Sequence, residues 1–160
     1  VREQIGIHVD HEFRASVDRR QAERTIRQIL RDEGVTSPYE VSLVVTDSET
    51  VQRLNRDYRG IDEPTDVLAF HMLPQKGSDS SFTLPPDGVI RLGEVVVSYP
   101  QAAAQAKEQR HSPEEELALL VIHGILHLMG YDHEGPEEEH KMRKREKELL
   151  ERYLLRNDII

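Results

Sequence analysis

Three histidines in this chain stand at a spacing that can hold one metal ion. In His123-Gly-Ile-Leu-His127-Leu-Met-Gly130-Tyr-Asp-His133 the first two are four residues apart, so on a helix their side chains share a face, with Cβ atoms roughly 6 Å apart. Gly130 accepts the positive φ of a helix stop and lets the chain double back, bringing His133 towards the pair. A single histidine in an apolar helix is usually a hydrogen-bonded core residue; three around a glycine turn point to a metal. Cysteine is absent, so any transition metal must sit on His, Asp or Glu. Three neutral imidazoles leave an ion its full double charge and one open position, where a water can reach a pKa of about 7. Histidine-only ligation suits one zinc per chain, though nickel and copper also accept imidazole.

The same spacing occurs in the metzincin zinc proteases, with one difference. There the residue after the first histidine is the general-base glutamate; here it is Gly124. A glycine inside a helix costs about 1 kcal/mol relative to alanine, so either something packs closely against it or substrate needs the room. Arg53, Arg56 and Arg59 recur every three residues and read equally as a solvated helix face or as guanidinium donors for phosphate oxygens. Asp66 and Asp132 read first as turn or strand caps and second as partners for a histidine N–H. His140 reads as a surface helix residue, and His8, His11, His71 and His111 lack ligand-like spacing. The basic run Lys141 to Lys147 reads as an exposed helix face.

The elements that must position these groups are partly legible. Residues 4–9 alternate in polarity like a strand, and from about Ser16 the positions Val17, Ala22, Ile26, Ile29 and Leu30 recur at helical spacing up to Gly34. Residues 40–46 read as a second strand, after which Asp47 or Ser48 caps a short helix through Leu54. Asn55 to Thr65 reads as a loop, Val67 to Phe70 as a third strand, and Pro74 to Gly88 as a mobile surface loop. Val89 to Ser98 reads as a fourth strand bulged near Gly93, followed by a helix from Pro100 to about Arg110. Ser112-Pro113-Glu114-Glu115-Glu116 is a strong helix start: an N-cap serine, proline at the first position, acids at the positive dipole end and a capping-box glutamate. The helix it opens is apolar nearly all round from Leu117 to Met129, which predicts a central buried helix carrying two of the histidines. A last, charged helix starts near Pro136 and runs to about Leu155.

The 160 residues suit one domain spanning 1–160, with no internal repeat or linker. The longest apolar stretch, 13 residues from Leu117 to Met129, is too short to span a bilayer, and the amino end has no signal-peptide pattern. A cytoplasmic protein is expected. The net charge of −9 repels nucleic acid and anionic membrane on average, so a nucleic-acid role needs a local basic surface.

The histidine motif closely resembles the signature of the YbeY family, bacterial metal-dependent endoribonucleases of rRNA maturation. It is joined in the family's order by Leu54-Asn55-Arg-Asp-Tyr-Arg59-Gly60, Pro64-Thr65-Asp66-Val67-Leu68-Ala-Phe70 and Leu92-Gly93-Glu94-Val95-Val-Val-Ser98. The chain departs from the family at Ala69 and His71, where serine and proline are common. The resemblance implies an α+β domain with a mixed sheet of about four strands packed with helices, and one zinc ion held by His123, His127 and His133. It also implies that Arg59 faces RNA beside the metal; Arg59 and His123 are the residues expected to act in catalysis. The implied substrate is single-stranded RNA, cut in 3′-end maturation of small-subunit rRNA and in ribosome quality control. The expected partners are the ribosome or small-subunit assembly factors; neither membrane nor DNA is expected. Two other readings stay open from the residues: a zinc peptidase or amidohydrolase with another acid as base, and a non-catalytic assembly factor with structural zinc.

Overall fold

The computed structural model describes residues 3–36, 38–72 and 87–157. Most of the expected surface loop, residues 74–86, lies outside the described residues. The described chain builds one α+β domain: a four-stranded mixed sheet with helices on both faces. Strands β1 (Glu3–Val9), β2 (Tyr39–Thr46), β3 (Val67–His71) and β4 (Ile90–Ser98) stand in the order β1-β2-β4-β3. The β1–β2 and β2–β4 pairs are parallel, and β3 runs antiparallel to β4 at the edge. No helix among the described residues is long and apolar enough to cross a membrane.

Side chains alternate across the sheet, so each strand feeds two faces. On one face Val41, Leu43 and Val45 of β2 and Val95 and Val97 of β4 join the main core under helices α1 (Arg19–Asp32) and α4 (Pro113–Leu128). On the other, Val96 and Leu68 pack with Val51 of α2 (Ser48–Arg59). The unbroken Val95-Val96-Val97 run of β4 therefore marks a strand covered on both sides.

Helix starts fall where local capping puts them. Asp47 Oδ1 accepts from Thr50 N at 2.7 Å, and Ser112 Oγ accepts from Glu115 N at 3.1 Å. The capping box is only half formed, because the Glu115 carboxylate turns to His111 at 3.2 Å. Helix α1 begins at Arg19, later than its apolar spacing implies, because Asp18 is the residue that caps it. Val17 is nonetheless buried ahead of the first turn.

One expectation is corrected. The stretch Asn55 to Arg59 is the last part of α2, not a loop. Asparagine is a weak helix former, but Asn55 is buried and its Nδ2 donates to the carbonyl of Glu63 at 3.0 Å, so tertiary contact outweighs propensity. The helix stops at Gly60, whose φ of 72° is the left-handed cap.

The bulge near Gly93 is present. Glu40 faces Arg91 and Val41 faces Gly93, so Leu92 is the extra residue. Gly93 has φ 133°, and a Cβ there would fall 2.1 Å from the carbonyl oxygen of Phe70, a position only glycine can fill. After β4 come α3 (Tyr99–Gln109) and α4, and the charged carboxyl-terminal helix α5 (Pro136–Arg156) packs on α4.

Candidate metal centre

Helix α4 presents His123 and His127 on one turn at the edge of the main core, both half-buried. It then ends in a paired hydrogen-bond stop. Gly130, at φ 99°, donates to the carbonyl of His127, and Tyr131 donates to that of Leu126, each at 3.0 Å. The reversal carries the chain to His133, whose ring lies 5.0 Å from His127 and 6.1 Å from His123, centroid to centroid. One ligand atom from each of the three lies within 4.8 Å of the others.

The returning segment is anchored as well as turned. The Tyr131 hydroxyl donates to Glu33 Oε2 at 2.9 Å, just past the end of α1. Glu33 is held in turn by Arg145 of α5, which also reaches the Asp32 carbonyl at 3.0 Å. Two residues before His133, the loop is therefore tied to two helices.

The donor set fits a transition metal. Burial, followed by the neighbouring His123 and His133, pushes the His127 pKa down to about 4, so its imidazole is neutral with a free lone pair at ordinary pH. His123 donates from Nδ1 to Glu146 Oε1 at 2.5 Å, which leaves Nε2 as the nitrogen available to an ion. The donors are imidazoles throughout, with no carboxylate to lower the charge an ion would keep.

The histidines open into a cleft of about 640 Å³. Its walls include Tyr58 and Arg59 from the end of α2, Asp66 before β3, Phe70 and His71 on β3, and Asp132 and Glu134 beside His133. Of the three spaced arginines only Arg59 lines this cleft, and among the described residues no carboxylate pairs with it. Arg56 is turned to Asp57 at 3.1 Å. Asp66 accepts from Gln105 Nε2 at 3.1 Å, and Asp132 accepts from the backbone N–H of His133 at 2.7 Å, so both act as local anchors. Gly124 is explained by packing: a Cβ there would sit 2.5 Å from Val95 Cγ1 of β4.

A family model described as endoribonuclease YbeY matches residues 7–154. The chain belongs to this family. A protein named endoribonuclease YbeY from Roseiflexus castenholzii is 46% identical over 147 residues, covering 91% of this chain and 90% of the relative. Another of that name, from Chloroflexus aurantiacus, is 44% identical over 147 residues, covering 91% of this chain and 92% of the relative. The solution structure of TM1509 from Thermotoga maritima superposes with a TM-score of 0.62 at 27% identity, covering 94% of this chain and 89% of that one. The α+β architecture with a buried histidine helix is thus the YbeY one, as the residue blocks implied.

Sequence reasoning missed two groups at the site. Glu146 lies inside the basic run Lys141 to Lys147, whose charge reads as an exposed helix face. Its signal was available: Met142, Glu146, Leu149 and Tyr153 share the α5 stripe that faces the core, and a lone acid on such a stripe needs a partner. His71 has a spacing unlike a ligand's. It lines the cleft from β3, and its Nε2 donates to the carbonyl of His127 at 2.6 Å. No pattern along the chain connects positions 71 and 127, which meet only through sheet and helix packing.

Proposed function

We propose that this protein is a metal-dependent endoribonuclease that cuts single-stranded RNA, with one zinc ion on His123, His127 and His133. The observation that carries the reading is the meeting, in one open cleft, of the three-histidine group and Arg59, which has no carboxylate partner among the described residues. A bound zinc would supply Lewis-acid stabilisation of charge on a phosphoryl group, as phosphoryl chemistry demands. His123, oriented by Glu146, holds one ligand position at the reacting centre. Arg59 offers a planar, permanently charged donor to the phosphoryl oxygens on which negative charge grows.

Gly124 supports a nuclease over a peptidase. The metzincin base would have to stand at this position, and the space beside it is filled by Val95. An open cleft beside a group of three histidine donors among the described residues supports catalysis over a structural role, since structural zinc is normally closed by four ligands. In the cell we place the activity in the cytoplasm, in 3′-end maturation of small-subunit rRNA and ribosome quality control. The net charge of −9 gives weak non-specific affinity for RNA, which supports targeting through ribosomal or assembly-factor partners.

Metal analysis paired with cleavage of single-stranded RNA, on wild type and His127→Ala, tests the reading. Wild type should hold one zinc and cut RNA, and the variant should lose both. A wild type that holds no metal, or that digests unstructured protein and leaves RNA whole, would overturn it.

A further inference from the structure

We propose that Tyr58 is a stacking platform for an RNA base, forming a nucleobase subsite beside the phosphate position at Arg59. The inference rests on the ribonuclease reading and gives it a grip on the substrate.

Tyr58 is 72% exposed, the most exposed of the large apolar side chains among the described residues, yet it lines the metal cleft. An exposed aromatic ring on a cleft wall offers a flat apolar face that a planar ligand can cover. One edge of the ring is supported. Phe70 meets it edge-on, with centroids 5.7 Å apart and an interplanar angle of 74°, and Phe70 itself packs on the Val51, Leu68 and Val96 cluster. Its backbone lies in the last turn of α2, two residues before the Gly60 stop. The hydroxyl has no hydrogen-bond partner among the described residues, so no polar contact explains the outward ring.

The neighbouring charge says what covers it. Arg59 is the next residue, lines the same cleft and has no carboxylate partner among the described residues. An aromatic ring and a cation in one groove form the arrangement that grips single strands, the cation taking the backbone and the ring a base. A duplex keeps its bases stacked on one another and cannot offer that face. The subsite therefore also accounts for selectivity towards single-stranded substrate.

The chain has no tryptophan, so Tyr58→Trp adds a single indole reporter at the subsite. Stopped-flow mixing with an oligoadenylate should quench its fluorescence before cleavage, whereas an abasic ribose-phosphate oligomer of equal charge should not. Tyr58→Leu should weaken oligoadenylate binding on the order of tenfold or more and leave the abasic oligomer unaffected; Tyr58→Phe should bind as wild type. The ring-keeping variants report even if the leucine variant fails to fold. Quenching that is absent or equal for both oligomers, in a protein that binds and cuts RNA, would overturn the stacking role alone. A wild type that neither binds nor cuts RNA would overturn the ribonuclease reading, and this subsite with it.

Discussion

Glu146 Oε1 lies 2.5 Å from Nδ1 of His123, joining the carboxyl-terminal helix to the helix that bears the candidate ligands. A carboxylate there fixes the imidazole tautomer and its direction. Glu146→Leu should weaken zinc affinity by roughly 10- to 100-fold, and Glu146→Gln, which keeps an acceptor for the Nδ1 proton, by less. Competition with a chromophoric chelator reads both values without any activity measurement. Equal affinities for wild type and leucine variant would remove the positioning role.

Arg59 carries its charge into the cleft without a carboxylate partner among the described residues. Arg59→Ala should lower the rate of RNA cleavage by on the order of 100-fold or more, as loss of a transition-state donor does. Its zinc content and melting temperature should stay at wild-type values. Arg59→Lys should recover only part of the rate, since a point charge does not match two phosphoryl oxygens as a planar fork does. Cleavage unchanged in the alanine variant would eliminate the role.

Gly124 of α4 and Val95 of β4 form a close crossing of helix and strand at the site. With a Cβ only 2.5 Å from Val95 Cγ1, Gly124→Ala should destabilise the protein by about 1–3 kcal/mol, despite the roughly 1 kcal/mol that alanine gains in a helix. Denaturant midpoints will show it. Adding Val95→Ala should recover part of the loss, and a double-mutant cycle with no coupling between the two sites would contradict the packing explanation.

The low His127 pKa sets a pH dependence for the metal-free protein. The unfolded chain takes up this proton near 6.5, while the fold resists it down to about 4. The unfolded state thus binds more protons through that window, so His127's contribution is intact above it and falls away as the pH drops. Urea midpoints of chelator-treated wild type should decline faster between about pH 6.5 and pH 4 than those of His127→Gln. Parallel declines would mean that His127 is not the group responsible.

What the chain disclosed depended on how far each signal reaches. Ser112, Asp47, Gly60 and Gly130 act on their own backbones within a few residues, and a short pattern is enough to reveal such devices. The ligand spacing was legible for the same reason, since one helical turn and one glycine stop bring all three histidines together. The order β1-β2-β4-β3, the His71 contact and the Val95–Gly124 crossing depend on burial between distant segments, which leaves no mark at fixed spacing. Glu146 falls between the two cases. Its place on the buried stripe of α5 was written in the sequence, but the target of its carboxylate was not.

The tie from Tyr131 to Glu33 and Arg145 has a thermodynamic consequence for the third histidine. A ligand on a free loop would surrender conformational freedom at the moment an ion is captured. Here the contacts to α1 and α5 order that loop through the tertiary fold itself. Preorganisation of this kind makes metal affinity a property of the folded tertiary structure rather than of the histidine motif alone. A peptide copied from residues 123–133 would keep every donor atom and bind far more weakly than the protein.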